Sequence, residues 1–435
     1  MIEQVPSFIA ELPTGLEKGT YLAVDLGGTN IRVCSVTFNG DGTYSLIQDK
    51  MVIPVALMTS ETSKGLFSLV ARSVQDFLRT CHPESPTTEV DSGTEVRRTF
   101  DLGFTFSHAI DQLDINSGTL IRWSKGFDID GVVGQDICAL LQTELTELAL
   151  PIRVTALIND TVGTLMARAY ASPKSAHTVL GAVFGTGTNG AYVEKVSKIA
   201  KLNSSKTERK GIMIVNSEWG NFDQNLEYLP TTAYDRAIDA NSVNPGFEMF
   251  EKRISGMYLG EILRLVMLSL IKDPKVDLFA GSTIPETSNL HTQWGLDSSF
   301  LSHLESDYTP DLSPSRAELE QWTGITNSTL EDVKALRIIS HAIGRRSARL
   351  SAVALGAVIV QTGCLGGEDG GRVDIGVNGS LIELYPGFVD EMREALREIP
   401  QIGDEEKRVD VVVAKDGSGV GAALAAHVAA RYLNC

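Results

Sequence analysis

The segment TYLAVDLGGTNIRVCSV, residues 20–36, decides the fold class. Apolar and β-branched runs flank a Gly-Gly-Thr-Asn turn, a pattern typical of a strand, a tight turn and a second strand. A later segment, TVLGAVFGTGTNGAYVEK at 178–195, has the same layout, and Ala, Val, Gly, Thr and Asn recur in it at a constant spacing from the first. The repetition predicts two related α/β lobes, each of which offers a glycine turn to one shared ligand.

Length and composition indicate a large globular protein. The 435 residues fit two or three domains, and 43% apolar residues can form large cores. The net charge of −17 argues against a nucleic-acid partner and against anionic membrane surfaces. The five cysteines include no CxxC pair, and the sequence shows neither a secretory signal nor an apolar run of about 20 residues. We therefore expect a cytoplasmic protein with no membrane span and no metal-ligand cluster.

The rest of the chain alternates predicted strands with predicted helices. Helical spacing at 64–80 and 135–147 predicts helices, and apolar runs at 101–107 and 154–158 predict strands. Further helices are predicted at 161–170, 248–272, 315–320 and 330–361 and further strands at 373–376 and 409–414, before a C-terminal helix that begins within 416–422. The polar stretches 81–95 and 366–371 predict loops.

The two glycine turns are suited to binding phosphate groups. Without side chains, successive backbone N–H groups can converge on an anion, and threonine and asparagine add neutral donors. Asp25, at the end of the first strand, is placed to hold Mg²⁺ or its waters. Read alone, residues 25–30 also fit an ordinary β-hairpin turn. The phosphate role therefore depends on the second turn at 184–189.

Another glycine-rich segment, DGSGVGA at 416–422, fits the G-x-G-x-x-A pattern of a dinucleotide-binding unit. It lies too close to residue 435 for the second strand and the ribose-binding acid of that fold, so we do not expect a Rossmann dehydrogenase. A helix N-terminus that faces a phosphate or a ribose is the better interpretation. The sequence contains no GxxxxGK[ST] pattern, which argues against Walker-type NTPases.

Candidate catalytic groups follow the predicted strand ALI. Because Asn159-Asp160 precede a helical run, Asp160 is either a helix N-cap or a general base at the rim of a cleft, where strand ends collect ligand groups. Lys125, in RWSKGF, is on a predicted turn beside an aromatic residue. Read singly, Lys125, Glu218 and Glu251 also fit solvated surface charges.

Taken together and in order, these segments resemble the eukaryotic ATP-dependent hexokinase/glucokinase family, in particular its fungal branch. The matching strings are LPTGLEKGTYLAVDLGGTNIRV, LGFTFS, RWSKGFDI, ALINDTVGTLMARAY, VFGTGTNGAYVE, NSEWGNFD, SGMYLGEILRLV, GSLIELYPGF and DGSGVGAALAA. The resemblance implies a two-lobed, actin-like ATPase (ribonuclease H-like) α/β clamp with a cleft between the lobes. It divides the chain into a small lobe of residues 1–158, joined by the C-terminal helix at 420–435, and a large lobe of residues 159–419.

The resemblance also implies ATP-dependent transfer of the γ-phosphoryl group to the 6-hydroxyl of a glucose-like hexose, with Mg²⁺ as cofactor. Monomer and homodimer both stay open. By the same resemblance, Asp160 matches the base for that hydroxyl, and Lys125 matches the lysine that holds the sugar and neutralises the moving group. The sugar-contact positions are Ser107, Ser124, Lys125, Asn159, Asp160, Asn189, Glu218 and Glu251. The nucleotide-contact positions are Asp25, Gly27, Gly28, Thr29, Asn30, Gly185, Thr186, Gly187, Gly379, Ser380, Gly417, Ser418 and Gly419.

Several positions depart from the family pattern. The departures are His108-Ala109 for Phe-Pro, Ser124 for threonine, Phe247-Glu248 for Gln-Gln, Arg345 for threonine and Asn378 for aspartate. Phe247 and Glu248 are expected to face C1 and C2 of the sugar, so a kinase for another hexose, such as N-acetylglucosamine, stays open. A catalytically weak sugar sensor is the second alternative. The retained Asp160 favours a kinase, because a dedicated sensor has no need of a base.

Overall fold

The structure is a computed structural model, and it describes residues 4–83, 99–173, 176–202, 211–366 and 371–433. Within these ranges the strands are β1 Val5–Pro6, β2 Lys18–Leu26, β3 Asn30–Asn39, β4 Tyr44–Val52, β5 Phe100–Phe106, β6 Ala109–Asp114, β7 Ser117–Arg122, β8 Ile152–Ile158, β9 Ala176–Phe184, β10 Thr188–Lys195, β11 Ile212–Asn216, β12 Arg372–Asn378 and β13 Val409–Val413. The α-helices are α1 Val55–Met58, α2 Ser63–Cys81, α3 Ile137–Glu147, α4 Asp160–Ala171, α5 Ala233–Ala240, α6 Glu251–Ile254, α7 Gly256–Lys272, α8 Ser298–Ser306, α9 Ser313–Thr323, α10 Leu330–Thr362, α11 Ser380–Leu384, α12 Phe388–Glu398 and α13 Gly417–Leu433.

The predicted strands and helices are present, with one change. Residues 248–272 form the two helices α6 and α7 rather than one, because Ser255 has an extended backbone with ψ 151°. The Gly256 N–H there donates to the Gly185 carbonyl at 2.8 Å instead of continuing the helix. Residues 84–95 and 367–370 of the two predicted loops lie outside the described residues. None of the helices in the described ranges is long and apolar enough to cross a bilayer.

Two sheets repeat one strand order. The first sheet has the order β4-β3-β2-β5-β8, in which β2, β5 and β8 are parallel and β3 is antiparallel to both of its neighbours. The second has β11-β10-β9-β12-β13 with the same directions, and β1 adds to its edge beside β11. The repeat that the glycine turns predicted is therefore a repeat of whole sheets.

Helices α4 and α13 pack against each other between the two sheets. Helix α13 lies on β2, β5 and β8, and α4 lies on β9 and β12. Their contact is close because glycines face each other: a Cβ at Gly421 would lie 2.2 Å from the Cα of Gly163. The C-terminal helix thus packs on the first sheet as well as on α4, and the division of the chain into lobes stays a prediction.

An ion pair in the interior fixes α4 to the second sheet. Asp374 on β12 is fully buried and accepts two hydrogen bonds from Arg168, both at 2.7 Å, and one from Thr178 at 2.9 Å. The bidentate geometry satisfies both carboxylate oxygens, which a buried charge requires. Because α4 begins at Asp160, this pair also holds the start of the helix in place.

Candidate active site

Asn159 and Asp160 stand where β8 ends and α4 begins. The Asn159 side chain caps the helix: its Oδ1 accepts from the Thr161 N–H at 3.0 Å and from the Thr161 hydroxyl at 2.7 Å. The interpretation of Asp160 as the N-cap is therefore wrong, because the preceding residue holds that position. The Asp160 carboxylate accepts no hydrogen bond from the described part of the chain, which leaves it available to a ligand.

A network of amides and carboxylates lies next to Asn159. The Asn189 amide donates to Asn216 at 2.8 Å and to Glu218 at 3.2 Å, and the Asn216 amide donates to Glu218 at 2.6 Å. Burial raises the pKa of Glu218, against the Asn216 hydrogen bond, and the charge of Asp160 raises it further. The sequence interpretation missed Asn216, although it stands two residues before Glu218 in the string NSEWGNFD.

The second glycine turn holds a carboxylate. Glu251 Oε2 accepts from the Thr188 N–H at 2.8 Å, and a Cβ at Gly187 would lie 2.9 Å from that same oxygen. Burial and then the neighbouring charge of Glu248 raise the pKa of Glu251 to about 8. Lys125 lowers this pKa and Glu218 raises it, so the four charged groups act on one another within one site.

The first glycine turn lines a cavity with basic residues at its edge. Its lining residues are Asp25, Gly27, Gly28, Thr29, Asn30, Arg32 and Lys50. Asp25 accepts a hydrogen bond from the Ser418 hydroxyl at 2.7 Å, so the N-terminus of α13 meets this turn. Burial raises the pKa of Asp25, Ser418 and Arg32 oppose that rise, and the charge of Asp160 adds to it.

Lys125 connects the first turn to the carboxylates. A Cβ at Gly28 would lie 3.2 Å from two carbons of the Lys125 side chain, closer than an ordinary contact, so the lysine side chain packs against the space that the glycine leaves open. Lys125 itself has φ 58°, the left-handed conformation of a tight turn, as the sequence predicted. Its charge lowers the pKa of both Asp25 and Glu251. Lys125 therefore lies between the two groups of residues.

The remaining glycine segments pack around the same turns. Gly379 has φ 118°, and a Cβ there would lie 2.4 Å from the Phe184 carbonyl, so Gly379-Ser380 abut the start of the second turn at Gly185. In the last segment, a Cβ at Gly417 would lie 3.0 Å from Thr164 of α4. Thr186 and Gly187 continue the second turn after Gly185. Ser418 and Gly419 continue the last segment after Gly417.

The backbone of both turns keeps free donors. In the first turn the Gly27 N–H donates to the Asn30 carbonyl at 3.0 Å, and in the second the Gly185 N–H donates to the Gly187 carbonyl at 3.0 Å. The N–H groups of Gly28 and Thr29 have no partner within the described ranges. Such a pair of unpaired donors beside a cavity matches the chemistry of a phosphate group.

The departures from the family pattern have separate locations. Arg122 of β7 lies 3.5 Å from Glu248, and its guanidinium lies 5.4 Å from the centroid of the Phe247 ring.

Arg345 pairs with Glu391 of α12 at 3.1 Å on an exposed face. The Asn378 amide donates to the Ala414 carbonyl at 3.0 Å, so it ties β12 to the loop before α13. Ala109 begins β6 and pairs with Arg122.

The last departure, His108, contacts a predicted sugar residue. Its Nδ1 lies 2.9 Å from the Ser124 hydroxyl, while the Ser107 side chain has no hydrogen bond to any residue that the structure describes. Ser107 follows β5 of the first sheet, and Ser124 comes just after β7, which pairs with β6 in a separate two-stranded sheet. The structure thus brings the sugar-contact positions to the same region as Lys125.

A duplicated α/β fold, with glycine turns and a carboxylate-rich site between its sheets, defines an actin-like phosphotransferase. Family models described as Hexokinase match residues 1–170 and 179–428. The glucokinase of Aspergillus niger is 50% identical over 99% of this chain and 90% of its own length. Glucokinase-1 of Saccharomyces cerevisiae is 42% identical over 98% of this chain and 88% of its own length. The chain therefore belongs to the hexokinase family.

Solved structures agree with this assignment. A hexokinase from Schistosoma mansoni, complexed with glucose, has a TM-score of 0.82 at 32% identity and covers 99% of this chain and 89% of its own. The expected actin-like clamp is confirmed, and so is the expected enzyme class: the chain is a hexokinase-type phosphotransferase that phosphorylates a hexose with ATP. The roles of the individual site residues stay proposals.

Proposed function

We propose that the chain transfers the γ-phosphoryl group of ATP to the 6-hydroxyl of glucose, with Asp160 as the general base. The observation that carries this proposal is the free Asp160 carboxylate at the start of α4, where Asn159 supplies the helix cap in its place. A carboxylate without hydrogen-bond donors of its own can accept the proton of a hydroxyl bound in the cleft.

In the proposed step the 6-oxygen attacks the γ-phosphorus, and the bond from that phosphorus to the bridging oxygen of ADP breaks. The hydroxyl proton passes to Asp160. Lys125, which lies against Gly28, supplies positive charge beside the first turn, and the free N–H groups of Gly28 and Thr29 donate to phosphate oxygens. Phosphoryl transfer depends mainly on such positioning and charge compensation.

Mg²⁺ fits the first turn as part of the nucleotide complex. Asp25 lines the cavity beside Gly28 and Thr29, and only its Oδ2 is held by Ser418. The second oxygen of Asp25 would hold the ion or its waters, and the bound ion supplies charge neutralisation on the phosphates. Among the described residues, no group of three or more His, Cys, Asp or Glu side chains is arranged to hold a metal ion.

The amide and carboxylate network suits a ring of sugar hydroxyls. Each hydroxyl both donates and accepts, so an epimer leaves a buried polar group unmatched, at a cost of about 1–3 kcal/mol. Asn189, Glu218 and Glu251 are the proposed readers of the ring, together with Ser107, Ser124 and Asn159. The names of the two glucokinase relatives, and the glucose in the Schistosoma mansoni structure, support glucose as the sugar.

The test is an ADP-release assay with glucose, mannose, fructose, galactose and N-acetylglucosamine. We expect glucose to be turned over best, Asp160→Asn to lower kcat by roughly 10²- to 10⁴-fold, and calorimetric glucose binding to persist. Asp111→Asn, which removes an exposed carboxylate from β6, is the matched control and retains turnover. Preferred turnover of N-acetylglucosamine would point to a kinase for another hexose. Glucose binding without turnover in the parent protein would establish the sensor alternative instead.

Partners and location follow from charge and composition. We expect no nucleic-acid partner, because a net charge of −17 repels a polyanion. The cytoplasmic location and the choice between monomer and homodimer stay predictions from the sequence.

A further inference from the structure

His108 is enclosed by aromatic rings. The centroids of Phe106, Trp123 and Phe127 lie 4.8, 5.0 and 5.2 Å from that of the imidazole, and His108 is 6% exposed. Its Nδ1 is 2.9 Å from Ser124 Oγ, and its buried Nε2 has no hydrogen-bond partner within the described ranges. The imidazole therefore has one polar contact, and that contact is Ser124.

The unpartnered nitrogen decides which tautomer the imidazole adopts. Burial, and secondarily Lys125, lower the pKa of His108 to about 3, so the ring is neutral and carries one proton at neutral pH. A proton on Nε2 would bury an N–H group without an acceptor, whereas a proton on Nδ1 leaves only a lone pair among the rings. Orphaned N–H groups are the rarer and costlier case. The proton therefore lies on Nδ1, and His108 donates to Ser124 Oγ.

This donation restricts what Ser124 can do. A serine hydroxyl normally rotates between donating and accepting. Once Ser124 Oγ accepts from His108, its own proton must be directed to another acceptor. With Ser124 as a proposed sugar contact, the acceptor that a bound hexose offers to this proton is a hydroxyl oxygen.

We propose that His108 is a positioning residue that fixes Ser124 as a hydrogen-bond donor to one hydroxyl of the hexose. This inference rests on the proposed function, because it takes Ser124 as a sugar contact. Phenylalanine, which the resembling family has at this position, can fill the aromatic enclosure but cannot orient the serine. His108 thus adds a directional hydrogen bond to Ser124 that a phenylalanine at this position cannot make.

The test combines variants with hexose analogues. His108→Phe preserves the ring packing and removes both nitrogens, so its melting temperature should equal or exceed that of the parent. We expect its KM for glucose to rise roughly 3- to 10-fold with kcat within about twofold. His108→Asn restores an N–H near the Nδ1 position and should recover part of the loss. One member of a deoxyglucose series, the analogue that lacks the contacted hydroxyl, should show no penalty from His108→Phe.

Ser124→Ala tests the sugar-contact role of Ser124 separately from the positioning role of His108. If Ser124→Ala raises KM and His108→Phe adds nothing to it in the double variant, the two residues act as one unit, as expected. If Ser124→Ala raises KM but His108→Phe does not, or if the two effects add, the inference about His108 is overturned while the sugar site stands. An unchanged KM in Ser124→Ala would overturn the sugar-contact role of Ser124, and the inference with it.

Discussion

The buried carboxyl of Glu251 should make the stability of the empty enzyme depend on pH. Its pKa is raised from 4.5 to about 8, by burial first and by Glu248 second. Between these two values the folded protein holds a proton that the unfolded chain releases. The free energy of unfolding therefore falls as the pH rises through this window. Each pKa unit is worth about 1.4 kcal/mol, so the loss between pH 5 and pH 8 is on the order of 3 kcal/mol.

Glu251→Gln removes this dependence, because the amide has no proton to lose and can still accept from the Thr188 N–H. At pH 5 the variant and the parent should be about equally stable. At pH 8 the variant should be the more stable by the amount above, which corresponds to roughly 3 °C in melting temperature for a chain of this length. Glu248→Gln removes the second cause of the shift and should give a smaller change in the same direction.

The measurement is the melting temperature of parent and variants across pH 5 to 8.5 without ligand. Glu227→Gln makes the same substitution at an exposed position and is the matched control. Its curve should run parallel to that of the parent, whereas the curve of Glu251→Gln should diverge upward with pH. Parallel curves for parent and Glu251→Gln would show that this carboxyl is ionised in the folded protein, and the electrostatic account of the site would be wrong.

Three other changes have expected outcomes. Asp374→Asn leaves the Arg168 guanidinium without its buried carboxylate and should destabilise the fold by about 3–5 kcal/mol, seen as a lower urea midpoint; a change within experimental error would contradict the pairing. Gly421→Val overfills the α4–α13 contact and should cost about 1–3 kcal/mol or more, and an unchanged melting temperature would refute that packing. Arg122→Gln breaks the contact with Glu248 and should raise the hexose KM roughly two- to fivefold at low salt, with the difference reduced at high salt; a salt-independent effect would argue against charge.

The repeat of strand, glycine turn and strand could be predicted because its pattern lies within short stretches of sequence. Strand, turn and strand recur around Asn30 and Asn189, and the glycines need no knowledge of distant contacts to be interpreted. The helix break at Ser255 was not predictable in this way. It depends on a hydrogen bond from Gly256 to Gly185, and the two residues are far apart in the chain. Periodicity within a window shows only the apolar face that continues through the break.

In the site, too, local sequence identifies residues, but their surroundings depend on distant contacts. The resemblance places Asp160, Glu218 and Glu251 on the sugar-contact list, but their environments come from residues elsewhere. Asn216 donates to Glu218, and the Thr188 N–H binds Glu251, and neither contact has a sequence pattern of its own. The single-residue interpretation as a solvated charge fails for Glu218 and Glu251, because burial is a property of the assembled fold, whereas Lys125 is exposed. The functional roles of these residues stay proposals.

The two copies of the turn have diverged in what they hold. In the first copy Asp25 ends the strand, and its carboxylate lies beside a cavity lined by free N–H groups and basic residues. At the equivalent position of the second copy stands Phe184, which is buried and stacks on Trp219 at 5.8 Å between ring centroids. The residue before that tryptophan is Glu218, in a left-handed conformation with φ 49°.

This difference gives the two copies of one repeated backbone different surroundings. The anchored Trp219 also donates to the Thr188 hydroxyl at 3.0 Å, and the N–H of that same Thr188 holds Glu251. Phe184 therefore helps to position both Glu218 and Glu251, because it packs on Trp219. An aspartate at position 184 would instead bury a charge against the indole of Trp219. The first copy thus has an aspartate beside the cavity, and the second has an aromatic residue whose packing positions Glu218 and Glu251. Because the helices of the two copies meet at Gly163 and Gly421, the two diverged turns belong to one packed unit, and the roles proposed for Asp25, Glu218 and Glu251 would depend on which residue stands at each strand end.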